Sequence, residues 1–213
     1  MGDFLSNVLA YKFRSSWWKL TRESRIKVID DLKTILKETH EKNNQDIKAE
    51  IYSSLRPDSN LIFWLLLKDS TDLNETRARL GKVFGSYASL KYGFLSVYEA
   101  NKLKDSSGKE YFVSYPISKS PEWYLLPKEK RTGIMAEHIR LATSDVNNKG
   151  INSYTTTSFG IDDNEFVVLY ELNSIPEWVA VTTNLREAEA RKWITNEKPI
   201  LVGSKSNFKE FLI

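Results

Sequence analysis

The residues that could bind a metal are few, and one of them lies in an apolar stretch. The chain has no cysteine and two histidines, so thiolate chemistry is excluded and imidazole is scarce. On a helix predicted for residues 127–143, Ile134, Met135 and Ala142 lie three or four positions from His138 and share its face. His138 is therefore predicted to point inward, either as a buried core residue or as a metal ligand.

Two glutamates are candidates to assist such an imidazole. A histidine that binds a metal through one nitrogen usually donates its other N–H to an acceptor, which fixes the tautomer. Glu187 and Glu189 lie in the last predicted helix, residues 175–191, and are candidate acceptors for His138. The spacing does not decide which of them, if either, faces the imidazole, and a solvated helix face is the alternative.

The charge balance gives little reason to expect a polyanionic partner. The 31 Lys and Arg nearly equal the 28 Asp and Glu, so we predict no nucleic-acid partner. The longest apolar run, Leu61 to Leu67, is far shorter than the roughly 20 residues that a membrane-spanning helix needs. The first ten residues also lack the pattern of a signal peptide. We expect a cytoplasmic protein without a membrane span.

The hydrophobic pattern predicts the same order of elements twice. For the first half it predicts strands at 7–13, 47–51, 61–67 and 92–98, with helices beginning at Thr21 and near Leu73. For the second half it predicts strands at 111–115, 152–159, 165–171 and 199–202, with helices at 127–143 and 175–191. Each half has the order β-α-β-β-α-β, which is that of a ferredoxin-like unit.

A ferredoxin-like unit carries its helices on one face of its sheet, so the other face needs a cover. Two sheets of one chain can cover each other around a shared core. We therefore predict an α+β fold in which two ferredoxin-like halves, residues 1–104 and 105–213, close into a dimeric-type α+β barrel. Two independent domains on a tether are the alternative, for which the connection 101–109 is short.

Four blocks of the second half form a recognisable set. They are Tyr115-Pro-Ile-Ser-Lys119, Glu122-Trp-Tyr-Leu-Leu-Pro127, Met135-Ala-Glu-His138 and Ser158-Phe-Gly-Ile-Asp-Asp-Asn-Glu-Phe166. In this order they resemble the chlorite dismutase superfamily, which includes the coproheme decarboxylases. The resemblance implies two ferredoxin-like halves, heme bound in the C-terminal half and assembly as a homopentamer.

The resemblance also implies roles for individual residues. It makes His138 the proximal ligand of the heme iron, Tyr115 the redox-active residue and Lys119 a neighbour of a porphyrin propionate. These roles agree with the chemistry of the side chains, because a tyrosine can be oxidised and an ammonium group can hold a carboxylate. Trp123, in the second block, is a further candidate for contact with the cofactor.

Two positions depart from the pattern of the resemblance. The distal arginine used in chlorite dismutation corresponds to Ser153 or a position beside it, and a hydroxyl cannot replace a permanently charged guanidinium. We therefore do not expect chlorite dismutase activity, and Ser153 is the candidate distal residue. Arg191 stands where some relatives have a serine that contacts a propionate, and it could serve as a carboxylate partner.

The resemblance leads to one expected function and two alternatives. We expect a heme-binding oxidoreductase that resembles coproheme decarboxylase, with a porphyrin ligand (coproheme or heme b), iron and hydrogen peroxide as the oxidant. A heme-binding protein that handles heme without catalysis is the first alternative. A heme-free, ring-forming scaffold in which His138 is simply buried is the second.

Overall fold

The architecture was obtained as a computed structural model that describes residues 2–43, 47–100, 102–106, 108–205 and 207–213. The first half contains β1 (Gly2–Phe13), α1 (Ser15–Trp18), α2 (Arg22–Lys42), β2 (Lys48–Ser54), β3 (Leu61–Leu67), α3 (Ser70–Phe84) and β4 (Ala88–Ala100). The second half contains β5 (Tyr111–Lys119), α4 (Pro121–Leu125), α5 (Lys128–Ser144), β6 (Asn152–Thr157), β7 (Phe166–Leu172), α6 (Ile175–Asn184), β8 (Ile194–Asn196) and β9 (Leu201–Ser204). Short 3₁₀ turns lie at Val146–Gly150, Leu185–Glu187, Glu189–Trp193 and Lys209–Phe211.

Local chemistry explains where the helices of the first half begin. The Thr21 hydroxyl accepts a hydrogen bond from the backbone N–H of Ser24 and caps α2, which begins one residue after the predicted position. The Asp69 carboxylate accepts from the N–H groups of Thr71 and Asp72 and caps α3 in the same way. These caps fix the points at which the chain leaves the sheet to form its outer layer.

The sheet closes on itself and so forms a barrel. Its strands follow the order β7-β6-β4-β1-β3-β2-β9-β5, and β5 pairs with β7 to complete the circle. β8 pairs with the end of β5 outside this circle. The predicted α+β barrel is therefore confirmed. Because one sheet contains strands of both halves, the structure favours the barrel over two tethered domains.

Both halves arrange their strands in the same ferredoxin-like order. The first half reads β4-β1-β3-β2 and the second reads β9-β5-β7-β6, so each begins with its last strand. The halves join where β4 meets β6, at Val97 and Thr157, and where β2 meets β9, at Ser54 and Gly203. The exact division at 104/105 stays a prediction, and Asn101 and Ser107 of the connection lie outside the described residues.

The barrel interior is an apolar core that contains one ion pair. Buried side chains of both halves fill it, including Trp64, Phe112 and Tyr154. At one side, Lys48 Nζ lies 3.2 Å from Glu171 Oε2, and both side chains are almost fully buried. The Tyr154 hydroxyl also donates to Glu171 Oε2 at 2.7 Å. The pair joins β2 of one half to β7 of the other.

The helix layers of the two halves differ in how they are filled. In the first half, α2 and α3 pack on the sheet through a large cluster that includes Leu32, Phe63 and Leu80. In the second half, the corresponding buried cluster described between the helices and the turns contains Trp123, Ile134 and Ala190. The second layer is thus held apart from its sheet over much of its area, and a cavity lies in the gap.

One predicted element is wrong. The helix predicted for residues 175–191 ends at Asn184, and the chain continues as two 3₁₀ turns with Ala188 extended between them. The side chain of Asn184 donates to Asp145 Oδ2 at 2.7 Å, which ties the helix end to the turn after α5. Ala188 is buried at the bend, so packing there outweighs its helix propensity.

Within the described ranges, no helix combines the length and the apolar composition that crossing a lipid bilayer requires.

Candidate functional site

A cavity of about 560 Å³ lies between the sheet of the second half and its helices. This volume is in the range of sites for small molecules and cofactors. The sheet wall carries Tyr115, Ile117 and Lys119 of β5, Ser153 and Thr155 of β6, and Phe166, Val168 and Tyr170 of β7. The helix wall includes Met135, His138, Ile139 and Ala142 of α5, together with Trp178 and Val181 of α6. The cavity therefore has mostly apolar walls with a few polar groups.

The alternation of the strands explains the sheet wall. Residues two positions apart on a strand share a face, so Tyr115, Ile117 and Lys119 all face the cavity. On β7, Val168 and Tyr170 face the same side, while Val167 and Leu169 fill the barrel interior. β7 is thus covered on both faces.

His138 stands on the helix wall with a nitrogen that has no partner. Met135 and Ala142, one turn away on either side, line the cavity with it, as predicted. The ring atom Nδ1 is buried and has no hydrogen-bond partner among the described residues. Burial lowers the pKa of His138, and the positive charges of Lys119 and Arg191 lower it further, so the imidazole is neutral at pH 7. A neutral imidazole can bind a metal, and because Nδ1 is buried, a metal in the cavity would bind through the other ring nitrogen, Nε2.

Lys119 lies on the sheet wall with an unusual set of neighbours. Its Nζ is 3.4 Å from the centroid of the Trp123 ring and 3.6 Å from Met135 Sδ. Burial lowers the pKa of Lys119 to about 8, although the charge of Glu165 opposes this effect. Because its close neighbours are apolar or aromatic, the ammonium group gains from an anion in the cavity.

Tyr115 forms an aromatic group with two neighbours. The centroid of its ring is 6.0 Å from the centroid of the Tyr170 ring. The centroid of the Tyr170 ring is in turn 4.3 Å from that of the Trp178 ring. Burial raises the pKa of Tyr115, so its hydroxyl keeps its proton at neutral pH.

Arg191 belongs to an ion cluster at another part of the wall. Its guanidinium donates twice to the Glu197 carboxylate, through Nη1 to Oε1 and through Nη2 to Oε2 at 2.8 Å. Arg186 Nη1 donates to the same Oε2 at 3.2 Å. Burial raises the pKa of Glu197, but the hydrogen bonds and charges of the two arginines outweigh it and leave the pKa below its ordinary value.

The structure therefore brings most of the predicted site residues to one cavity. Tyr115, Lys119, His138, Ser153 and Arg191 all line it. Trp123 is buried behind Lys119, where it packs against the Trp193 ring, and is not part of the described wall.

The two predicted acceptors for His138 are placed elsewhere among the described contacts. Glu187 is exposed on its turn, and the Glu189 carboxylate lies 4.0 Å from Lys192 Nζ. The glutamate whose charge acts on His138 is Glu137, which accepts a hydrogen bond from the backbone N–H of Glu189 at 3.0 Å. The assignment of Glu187 or Glu189 as a hydrogen-bond partner stays a prediction.

The wall residues that the sequence reasoning missed include Tyr170, Trp178, Arg186 and Glu197. Tyr170 could have been found, because it follows Val168 by two positions on a predicted strand. Trp178 was within reach as well, at the start of a predicted helix. Arg186 and Glu197 carried no local signal, because separate turns bring them together.

The fold and this cavity define a class: an α+β barrel whose second helix layer encloses a site large enough for a cofactor. Sequence comparison gives the family. The family described as chlorite dismutase matches residues 25–206, which is most of the chain, so this protein belongs to the chlorite dismutase family.

Individual relatives agree with this membership. A coproheme decarboxylase of Mycolicibacterium smegmatis is 24% identical over 201 residues, which cover 89% of this chain and 86% of the relative. The crystal structure of TA0507, a predicted chlorite dismutase, is 36% identical, covers 100% of this chain and 98% of its own, and has a TM-score of 0.86. A heme-binding protein from Thermus thermophilus shares the fold at 20% identity, with 100% and 96% coverage and a TM-score of 0.85.

Proposed function

We propose that this protein is a heme-dependent oxidoreductase of the coproheme decarboxylase type, in which His138 would bind the heme iron. The observation that carries the proposal is the neutral imidazole of His138 on the wall of a large, mostly apolar cavity. Family membership and the coproheme decarboxylase relative support the same function.

The donor set fits an iron porphyrin better than a bare ion. Among the described residues, no group of three or more His, Asp or Glu side chains could hold a metal ion. An ion at His138 therefore needs a carrier that supplies the remaining ligands, and a porphyrin does so with its four nitrogens. The apolar walls suit the porphyrin face, and Lys119 and Arg191 suit its carboxylates.

The side chains of the cavity would each contribute a distinct action. Bound heme iron supplies the redox chemistry with hydrogen peroxide. The protonated phenol of Tyr115 can give up an electron together with its proton, and the stacking of its ring on that of Tyr170 fixes its orientation. Lys119 lies on the same strand as Tyr115, four residues further along, and its ammonium group can hold a propionate carboxylate near Tyr115.

Ligation by His138 is tested by an absorption titration of the metal-free protein with coproheme and with heme b. We expect a stoichiometric Soret shift for the wild type that His138→Ala abolishes, because the imidazole is lost. His40→Ala is the matched control. His40 lies on α2, in the other half of the chain, and its Nε2 is 3.3 Å from the carbonyl oxygen of Ala49. A wild-type protein without a Soret shift would refute the proposal and favour the heme-free scaffold.

Decarboxylation is tested separately with peroxide and the coproheme complex. We expect Tyr115→Phe to keep the Soret shift but to stop the formation of three-propionate and two-propionate products. Unchanged product formation would remove Tyr115 from the mechanism.

Ser153 favours a second candidate, a heme-binding protein without this catalysis. It lies on the sheet wall where a distal residue is expected, and a hydroxyl offers an oxidant only a weak donor. In that case, peroxide would bleach the bound heme without decarboxylated products.

Assembly as a homopentamer also stays part of the proposal. Sedimentation of the protein at the mass of a monomer would contradict it.

A further inference from the structure

The carboxylate of Glu197 already occupies the arginines that a ligand carboxylate would use. Arg191 binds it with two parallel hydrogen bonds and Arg186 adds a third. This fork geometry is the one by which arginine recognises carboxylates in ligands. All three residues line the cavity. The carboxylate of Glu197 therefore takes the place that a carboxylate of the ligand would occupy at this part of the wall.

The charge of this cluster leaves room for a second carboxylate. Two guanidinium groups and one carboxylate have a net charge of +1, since 2 − 1 = 1, and three of their hydrogen bonds are mutual. The Arg186 side chain is 56% exposed, whereas those of Arg191 and Glu197 are 27% and 20% exposed. Several arginine donors thus stay available, and Arg186 can move with little loss of packing.

The backbone allows the cluster to open. Arg186 and Arg191 lie on separate 3₁₀ turns, and Glu197 follows the three-residue strand β8 outside the closed barrel. Moving one of these side chains does not break a barrel strand. The charges of all three act on Tyr115, so the cluster is close to the residue that the proposed reaction uses.

We propose that Glu197 is a specificity-determining residue that competes with ligand carboxylates for Arg186 and Arg191. In the ligand-free protein it holds both guanidinium groups, and on binding it releases at least one of them to a carboxylate of the ligand. A ligand without a carboxylate at this place leaves the cluster closed and gains nothing from it. The inference rests on the proposed function, because it takes the ligand to be a porphyrin that carries several carboxylates.

The test uses metal-free coproporphyrin III, which has four carboxylates, and its tetramethyl ester as the uncharged counterpart. Binding to the full chain is followed by porphyrin fluorescence, so neither iron nor turnover enters the measurement. The variants are Glu197→Gln and Arg186→Gln. Glu177→Gln is the matched control, because it removes the same charge beside the wall residue Trp178 without touching the arginines.

We expect Glu197→Gln to bind coproporphyrin about threefold to tenfold more tightly than the wild type, because the competing charge is gone. The affinity for the ester should not change. Arg186→Gln should weaken coproporphyrin binding, and it reports on the cluster even if Glu197→Gln unfolds. Glu177→Gln should behave as the wild type.

The outcomes separate this inference from the proposed function. Equal or weaker coproporphyrin binding by folded Glu197→Gln, or the same gain for the ester, overturns the role of Glu197 and leaves the porphyrin site intact. No binding by any variant or by the wild type overturns both. A gain in affinity that is specific to coproporphyrin supports the inference. If the separate peroxide assay with coproheme then gives no decarboxylated products, decarboxylation alone is refuted.

Discussion

Lys119 should make porphyrin binding depend on pH, because its pKa of about 8 lies within the working range. Its protonated form attracts a ligand carboxylate through its positive charge, and its neutral form lacks this charge. The affinity contributed by this charge is therefore complete below pH 8 and lost as the pH rises through 8. Porphyrin carboxylates of ordinary pKa, about 4 to 5, are ionised throughout this range and add no titration.

The magnitude follows from the half-buried position of the side chain. A hydrogen bond to a charged group contributes about 1.5–3 kcal/mol, and partial exposure favours the lower end. About 1.5 kcal/mol corresponds to roughly a tenfold change in the dissociation constant. With a pKa of about 8, Lys119 is about nine-tenths charged at pH 7 and about one-tenth charged at pH 9. We therefore expect coproporphyrin binding by the wild type to weaken about tenfold between pH 7 and pH 9.5.

The assay is the fluorescence titration at each pH, with two variants beside the wild type. Lys119→Met keeps a chain that can pack on Trp123 but has no charge, so its affinity should be weak and constant across the range. Lys119→Arg stays charged and should keep its affinity at pH 9. Lys119 is the residue that changes charge between pH 7 and pH 9.5 among the described wall residues with a shifted pKa. The pKa of His138 is lowered and the pKa of Tyr115 is raised, so both residues stay neutral in this range. A wild-type affinity independent of pH, or the same dependence in Lys119→Met, would refute this reasoning.

Three further results are expected. Gly203→Ala should lower the free energy of unfolding by about 1–3 kcal/mol in urea, because its Cβ would lie 2.7 Å from Tyr52 Cβ; an unchanged midpoint would contradict this. Lys48→Met should lower the free energy of unfolding by about 3 kcal/mol, because it leaves the charge of Glu171 buried without its partner. The double variant with Glu171→Gln should recover part of this loss, and additive losses would argue against the pairing. The lowered pKa of His138 predicts that its binding of coproheme iron survives at pH 6.5, the ordinary pKa of an imidazole, so loss of the Soret shift by pH 7 would count against it.

The sequence predicted the barrel well because its strands carry strong patterns. Every residue from Leu61 to Leu67 is buried, as the apolar run required of a strand covered on both faces. The need to cover the second face of each sheet then predicted the closed circle. The last helix was wrong beyond Asn184, because the contact with Asp145 and the burial of Ala188 are tertiary effects that no local pattern contains.

The candidate site was predictable to the extent that its residues lie on regular elements. Tyr115 and Lys119 follow from the alternation of β5, and His138 from the apolar face of α5. Glu197 was not predictable, since the hydrogen bonds to Arg191 and Arg186 form only when two turns and the end of β8 meet. Charged residues in irregular segments look solvated in a sequence, and only the fold reveals their partners.

The unequal filling of the two helix layers has a consequence for the lifetime of the protein. The first layer is closed by its own side chains, whereas the second leaves a cavity of about 560 Å³. A ligand that fills this cavity completes the core, and binding to the folded state alone raises stability by mass action. Without the ligand, the second half unfolds locally more often and is the part that proteases cleave first. The amount of this protein in a cell would then rise and fall with the supply of its ligand.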